Sequence, residues 1–425
     1  MRTHLCTLLL FVPFLSLALA QAQDYSVIKL PTLGGGHTSA STVNESGLIT
    51  GNTQAVTYGQ FHAFVWSRTQ GIQDLGTLDG YGTFGESVNN HGDVTGWGEE
   101  GIALLWTAGT GWQKIGPPPV PYTTGYGIND SRQIVGTYGD VASRGFLWTE
   151  TGGMQDLGTL GCSNCFPSSI NQSGQVVGSF ELPDQSVHAF LWTQADDITD
   201  LGTLGGTSSV ATAINDAGQV VGGSAIANGD NHAFFWTAAS GMQDLGTLPG
   251  EPNSSAEAVD SAGRVVGHCW HPGKDNGLPF TWTQSGGMSQ LGPFPKHTGI
   301  SDANGVNAAG QVLLRSYSHL YGGYISYLLT PLMSVTLTSS LNPSQSGQPV
   351  TFTATVGSSL QGPPPDGELV TFMNGGKTLA SVPLQAGVAT FTMTLTATRT
   401  IKAAYVGDAY YAPTKPVALK QVVEK

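Results

Sequence analysis

The chain has 425 residues, only 11% of them charged, with 29 acidic against 16 basic side chains and a formal charge of −13. That balance argues against nucleic acid, where Lys and Arg at phosphates supply most of the affinity, and against anionic membrane surfaces. Gly, Ser, Thr and Asn abound, and β-branched and aromatic runs are cut by Gly and Asn, which is an all-β composition.

The first element in chain order is a targeting segment, a signal peptide over 1–20. Arg2 gives a positive start, "LCTLLLFVPFLSLALA" is apolar, and Ala18-Leu19-Ala20 before Gln21 fits a small-x-small cleavage site. Cleavage would remove Arg2 and take the formal charge to −14. No other run approaches the roughly 18 apolar residues of a membrane span. The expectation is a secreted or cell-surface protein with no membrane insertion after cleavage. Cys6 lies far from the cleavage site, so it is not a lipid-anchor cysteine.

Residues 25–331 are repetitive. "INDAGQVVG" at 214–222 recurs as "INQSGQVVG" (170–178) and "INDSRQIVG" (128–136), with weaker copies at 43–51, 88–96, 259–267 and 306–314. A second motif, "NHAFFWT" at 231–237, has near twins at 187–193 and 61–67. Its tryptophans recur as Trp66, Trp106, Trp148, Trp192, Trp236 and Trp282, with Leu329 in the seventh place. A third, "DLGTL", stands at 74–78, 156–160, 200–204 and 244–248, degrades at 114–118 and 290–294, and occurs first in the chain as "KLPTL" at 29–33.

One repeat reads as four short antiparallel strands, which matches a β-propeller blade. Strand a is "ATAIN", b "QVVGGS", c "HAFFWT" and d "MQDLGTL". The last copy stops after strand c at Pro331, and the first is preceded by an unpartnered strand d. A seven-bladed β-propeller closed by the N-terminal strand accounts for both ends and leaves no exposed edge. Pro31 suits an outermost strand. A β-solenoid fits less well, because its coils are shorter and need no borrowed strand.

Alternation puts His232, Phe234 and Trp236 on one face of strand c, so the aromatics are expected as inter-blade core. His62 and His188 share the place of His232, but Ile102, Arg144 and Leu278 fill it elsewhere. A catalytic group is needed once, so this histidine reads as a structural hydrogen bond near a blade edge. Asn215 can bond its own turn and Gly218 can take positive φ. Arg132 replaces that glycine in the third repeat and predicts a strained or remodelled turn. This three-motif pattern resembles the bacterial extracellular repeats named for their His-Ala-Phe motif, the HAF repeats, over about 28–331. The resemblance implies an extracellular location and brings no catalytic residues.

From 332 to 425 the pattern changes to period-two strands separated by Pro, Gly and Asn turns, which suits an immunoglobulin-like β-sandwich. No cysteine is available to staple it. "AAYVGDAYYAP" resembles the Tyr-x-Gly-Asp signature of bacterial Ig-like domains, through Tyr405, Gly407 and Asp408. The resemblance implies a spacer or adhesion module.

The a–b and c–d turns are short and alike, whereas the b–c and d–a connections vary and share one propeller face. Variable loops on a rigid scaffold are where binding resides. Trp97, Tyr138, Asp140, His268, Trp270, His271, Asp275 and Tyr321 on that face are the candidate ligand contacts, a set suited to sugar or peptide. "HCWH" at 268–271 and Cys162-x-x-Cys165 invite a metal reading, but two blades separate them, so no metal site is assigned. A local Cys162–Cys165 disulfide is expected, with Cys269 free. No G-x-S-x-G or H-E-x-x-H motif occurs, and no catalytic residue or cofactor is assigned. The expected function is non-catalytic binding or adhesion to an extracellular glycan or protein, by a monomer. The alternative is a secreted propeller enzyme, a polysaccharide lyase or hydrolase.

Overall fold

A computed structural model describes residues 25–424 apart from 56–58, 117–121, 140–142, 158–163, 275–276, 293, 295–299, 319–322, 359 and 361. Every regular element among the described residues is a β-strand, and no helix is present among them.

The fifth repeat unit shows how the motifs fold. Gly205–Ile214 (a), Val220–Ile226 (b), Asn231–Thr237 (c) and Gly241–Asp244 (d) pair in order, each antiparallel to the next. In the a–b turn, Asn215 Oδ1 accepts from the N–H groups of Ala217 and Gln219, and Gly218 takes a φ of 73°. The side chain thus mimics a backbone turn, and glycine enters the left-handed region without steric cost. In the third unit Arg132 adopts that conformation with φ 56°. Its guanidinium is anchored by Asp93 Oδ2 of the second unit, 2.8 Å from Nε.

Seven four-stranded units of this kind follow one another among the described residues. Units four and five are joined by a single parallel bridge, Val187 to Ser208. In the last unit, Ile300–Val306, Val312–Ser318 and Gly323–Pro331 are completed by Tyr25–Lys29, which pairs antiparallel with Gly323–Pro331. Pro31 lies just beyond that strand, where its carbonyl accepts from the Thr38 hydroxyl. The a strands of successive units touch one another, and Ile300–Val306 touches Gly34–Val43. The a strands are therefore the inner strands of a β-propeller.

Polar clasps join the units at the a–b turn end. Asn44 Nδ2 donates to Asn89 O, Asn89 to Asn129 O, Asn129 to Asn171 O, Asn171 to Asn215 O, Asn215 to Asp260 O, and Asn307 to Asn44 O. Apolar clusters fill the space between units. One joins Val221, Ala233 and Phe235 of unit five to Ala256, Val265, Phe280 and Trp282 of unit six.

The tryptophans take their expected place at the inter-unit core, but with unequal burial. Trp66 and Trp282 are buried, but Trp106, Trp148, Trp192 and Trp236 are partly exposed. The wholly buried aromatics are Phe64, Phe146, Phe190, Phe234 and Phe280, two residues earlier. The phenylalanines lie at mid-strand inside the clusters, while Trp106, Trp148, Trp192 and Trp236 pack against the clusters from near the strand end. Full burial of each such phenylalanine contributes roughly 1.5–3 kcal/mol.

The remaining strands form a sandwich. One sheet contains Ser334–Ser339, Pro349–Gly357 and Val388–Thr394; the other contains Lys377–Pro383, Leu369–Asn374, Arg399–Tyr405 and Val417–Gln421. Phe352, Phe372, Ile401 and Tyr405 are buried between them. Asp408 Oδ1 accepts from the N–H groups of Tyr410 and Tyr411, while Gly407 has a φ of 84° against Pro413. The signature residues are thus a turn lock. This sandwich meets the propeller near the a–b turns, where Gln311 Nε2 donates to Tyr410 O at 3.1 Å.

Candidate functional site at the inner strands

Strand a carries a β-bulge at the same place in all seven units, and the extra residues are Ser41, Glu86, Tyr126, Ser168, Thr212, Glu257 and Asn304. A bulge re-aims one side chain out of the regular pleat. Four of the seven use it to clip the next unit. Ser41 Oγ donates to Gly85 O, Ser168 Oγ to Ala211 O, Thr212 Oγ1 to Ala256 O, and Asn304 Nδ2 to Ala40 O, at 2.7–2.9 Å. The acceptor is always the residue just before the next bulge.

Glu86 and Glu257 break this pattern, because a carboxylate cannot donate to a carbonyl. Glu86 instead accepts from Trp97 Nε1 at 3.0 Å. Glu257 lies 3.5 Å from His268 Nδ1, an ion-pair distance without hydrogen-bond alignment, so that buried nitrogen has no hydrogen-bond partner. Burial pushes both carboxyls above the usual range, opposed at Glu86 by the Trp97 N–H and at Glu257 by His268. Arg315 opposes the shift at both, so the charge of one guanidinium is felt by the two glutamates. Arg315 itself is held by Asp302 at 3.3 Å and lies 4.7 Å over the Tyr324 ring, which packs edge-on against Tyr317. Trp97 stacks on Phe84 with centroids 4.0 Å apart, and His268 sits 5.1 Å from the Trp270 ring.

Of the sequence candidates, Trp97, His268 and Trp270 belong to this neighbourhood. Tyr138 does not: its hydroxyl donates to Asp156, which also holds Arg144. His271 is exposed, with Nδ1 2.9 Å from the carbonyl of Pro272. Asp140, Asp275, Tyr321 and Cys162 lie outside the described residues. Cys165 is disulfide-bonded. Cys269 is a free, buried thiol packed on Met288 and the Leu248 N–H, and burial pushes it up to about 11. Among the described residues no group of three or more His, Cys, Asp and Glu could hold a metal ion. His62, His188 and His232 each bond an aspartate of strand d, namely Asp74, Asp200 and Asp244, at 2.9 Å.

Sequence reading missed Glu86, Glu257, Asp302 and Arg315. The signal was the bulge column, which reads Ser, Glu, Tyr, Ser, Thr, Glu, Asn when the repeats are stacked. A separate cavity of about 180 Å³ lies between the a–b turns. Its carboxylates are already engaged: Asp130 and Asp216 accept from Asn90 N and Gln172 N, and Glu45 accepts from Ser261 N and Ala308 N.

Residues 337–424 match the bacterial Ig-like domain (group 3) family. No curated protein matches the chain. Similar solved structures include a protein assigned as TolB from Agrobacterium tumefaciens, 12% identical over 63% of this chain and 97% of that one, with a TM-score of 0.43. The Dos1 propeller is 10% identical over 72% of this chain and 95% of its own, with a TM-score of 0.42. The extracellular domain of a protein assigned as a hybrid two-component system from B. thetaiotaomicron is 10% identical over 94% and 57%, with a TM-score of 0.44. Among the described residues no helix is long and apolar enough to cross a membrane.

Proposed function

We propose that residues 25–331 form a closed, seven-bladed propeller of the HAF-repeat type and that 332–425 form an Ig-like spacer. In this reading the protein is a secreted or cell-surface, non-catalytic binding or adhesion protein, and the propeller takes an extracellular glycan or protein at its loop face. The observation that carries this reading is the contrast between the a–b turns and the interior of the inner strands. At the a–b turn end, asparagines knit the units together and the Ig-like domain makes contact through Tyr410. Inside the strands, two residues before Val88 and Val259, the repeats cease to match, and Glu86, Glu257, Trp97, His268 and Arg315 stand where other units make their clips.

A second reading, a polysaccharide lyase or hydrolase, is favoured by one observation. Glu86 and Glu257 are carboxyls raised by burial and both subject to the charge of Arg315, and such shifted groups suit acid–base work. The two readings separate on one experiment with the full chain: binding to a glycan and protein array, run beside product release from a polysaccharide panel. Binding without product supports recognition. Product formation abolished by Glu257→Gln would move the protein to the enzymes.

A further inference from the structure

We propose that the cluster of Glu86, Glu257, His268 and Arg315 is the binding site for a saccharide that carries a primary amine. This deepens the loop-face reading and rests on it.

Three observations converge. The first is the forfeited clip. Where four units hold their neighbour through the bulge residue, units two and six present a carboxylate, which gives up an inter-unit hydrogen bond and loses solvent as well. Departures from a repeat rule that leave the inter-unit bond unmade mark candidate functional positions. The second is the state of the polar atoms. Glu86 has one donor, Trp97 Nε1, and Glu257 has no aligned donor from His268. His268 Nδ1 and Asn304 Oδ1 are both buried without a hydrogen-bond partner, and Asn304 shares the bulge column with the two glutamates. Buried polar atoms left this way call for a hydrogen-bonding ligand, and the Asn304 oxygen and the two carboxylates call for one that donates. The third is charge. Arg315 is in contact with Asp302 and His268 with Glu257, and the Arg315 charge also acts on both glutamates, so three carboxylates share one guanidinium and one imidazole. The surplus is negative, which rejects uronic or sulfated sugars and favours an ammonium group.

Aromatic rings complete the match. Trp97, Trp270, Tyr317 and Tyr324 stand around the charged groups, and Tyr317 and Tyr324 expose 43% and 37% of their surface. Sugar C–H faces pack on such rings while hydroxyls and amines meet the acceptors. The carboxylates lie on the innermost strands, where a saccharide end reaches more readily than a folded partner's surface.

The test is calorimetric titration of the full chain at neutral pH with three probes: glucosamine oligomers, their N-acetylated counterparts, and a lysine-rich peptide. The amine-bearing oligomers are expected to bind, and the acetylated ones roughly tenfold or more weakly, the loss of one charge-assisted contact. The double variant Glu86→Gln/Glu257→Gln should weaken the amine oligomers by a similar or larger factor. Its thermal midpoint should match or exceed the parent's, which separates lost binding from lost folding. Equal binding of acetylated and free-amine oligomers would overturn the proposal, as would a double variant that binds normally. Peptide binding blocked by the double variant, with no saccharide bound, would overturn the saccharide assignment. A neutral glycan or protein found on the array, bound equally by the double variant and lost in Trp270→Ala, would sink this inference and leave loop-face recognition standing.

Discussion

Units five and six are neighbours with the same four strands, yet they differ at nearly every polar motif position. Unit five has Asn215 and Gln219 in its turn, Thr212 at its bulge and a His232–Asp244 pair between strands c and d. Unit six has Asp260 and Arg264, Glu257, and Leu278 with Gln290. The comparison separates two kinds of departure. Asp260 and Arg264 change together within one turn, and the exchange is local and partly self-compensating. Glu257 comes with His268, which stands where unit five has Gly223, yet that pair lies within unit six and the inter-unit clip is gone. The first kind maintains a fold, and the second marks a surface meant for something else.

The comparison assumes that both units rest on the same apolar core, and the largest expected effect tests this. Phe234→Ala in unit five should cost about 3–5 kcal/mol, since the ring is wholly buried. Trp236→Ala should cost less, because its indole is partly exposed. Chemical denaturation of both variants checks the order. A larger loss from Trp236→Ala would restore the tryptophans as the main inter-unit core.

Asp260 sharpens the comparison through pH. The residue is buried, its Oδ2 has no hydrogen-bond partner, and desolvation raises its carboxyl above the ordinary value. Arg264, 4.0 Å away, works against that rise, while Glu45 of unit one adds to it. A carboxyl whose folded pKa is raised stabilises the fold below its unfolded value, near 3.9, and that contribution fades as pH rises through the folded value. Asp260→Asn should remove this dependence and supply the Nδ2 donor that Asn215 supplies one unit earlier. The expected gain is about 1 kcal/mol at neutral pH, shrinking toward pH 4. Adding Arg264→Gln should restore the unit-five arrangement fully. A variant no more stable than the parent at pH 7 would show that the carboxyl is well accommodated as it stands.

The bulge column offers a reciprocal pair of similar or smaller size. Thr212→Val removes the clip from unit five and should cost about 1 kcal/mol. Glu257→Thr installs it in unit six and should stabilise by up to about that amount, while abolishing any ligand binding that depends on the carboxylate. If Glu257→Thr destabilises instead, the glutamate holds the ring together and the distinction between the two units collapses.

Much of this was legible in the repeats. Strand order, the Asn–Gly turns and the borrowed first strand all follow from motif spacing, because each motif residue has a local duty that recurs. Asn215 bonds its own turn wherever it stands, and Arg132 kept the turn at the expense of a left-handed arginine. What was not legible depends on tertiary geometry. No single unit reveals that the bulge residue reaches a carbonyl some forty residues on, so Glu257 looked like an ordinary strand residue. Likewise, a tryptophan near a strand end cannot be told from one at mid-strand by alternation alone. Tyr138 drew notice as an aromatic on a variable loop, but its hydroxyl is spent on Asp156.

The smallest effect concerns the residue that first looks like chemistry. His232 bonds Asp244 of the adjacent strand at 2.9 Å, and the same pair recurs in units one and four. Unit three keeps the aspartate and exchanges the histidine for Arg144, while unit six has Leu278 opposite a strand that ends in Gln290. The basic and acidic residues therefore come and go together, which is the signature of a pair serving the strand edge. Solvent reaches Asp244, whose side chain is 43% exposed, so screening limits the contribution. His232→Ala should cost about 0.5–1 kcal/mol, and His232→Arg should recover most of it by copying unit three. Neither should alter binding at the glutamates. Loss of binding from a folded His232→Ala protein would place the site at the strand c–d edge, where unit five has the His232–Asp244 pair and unit six has Leu278 and Gln290.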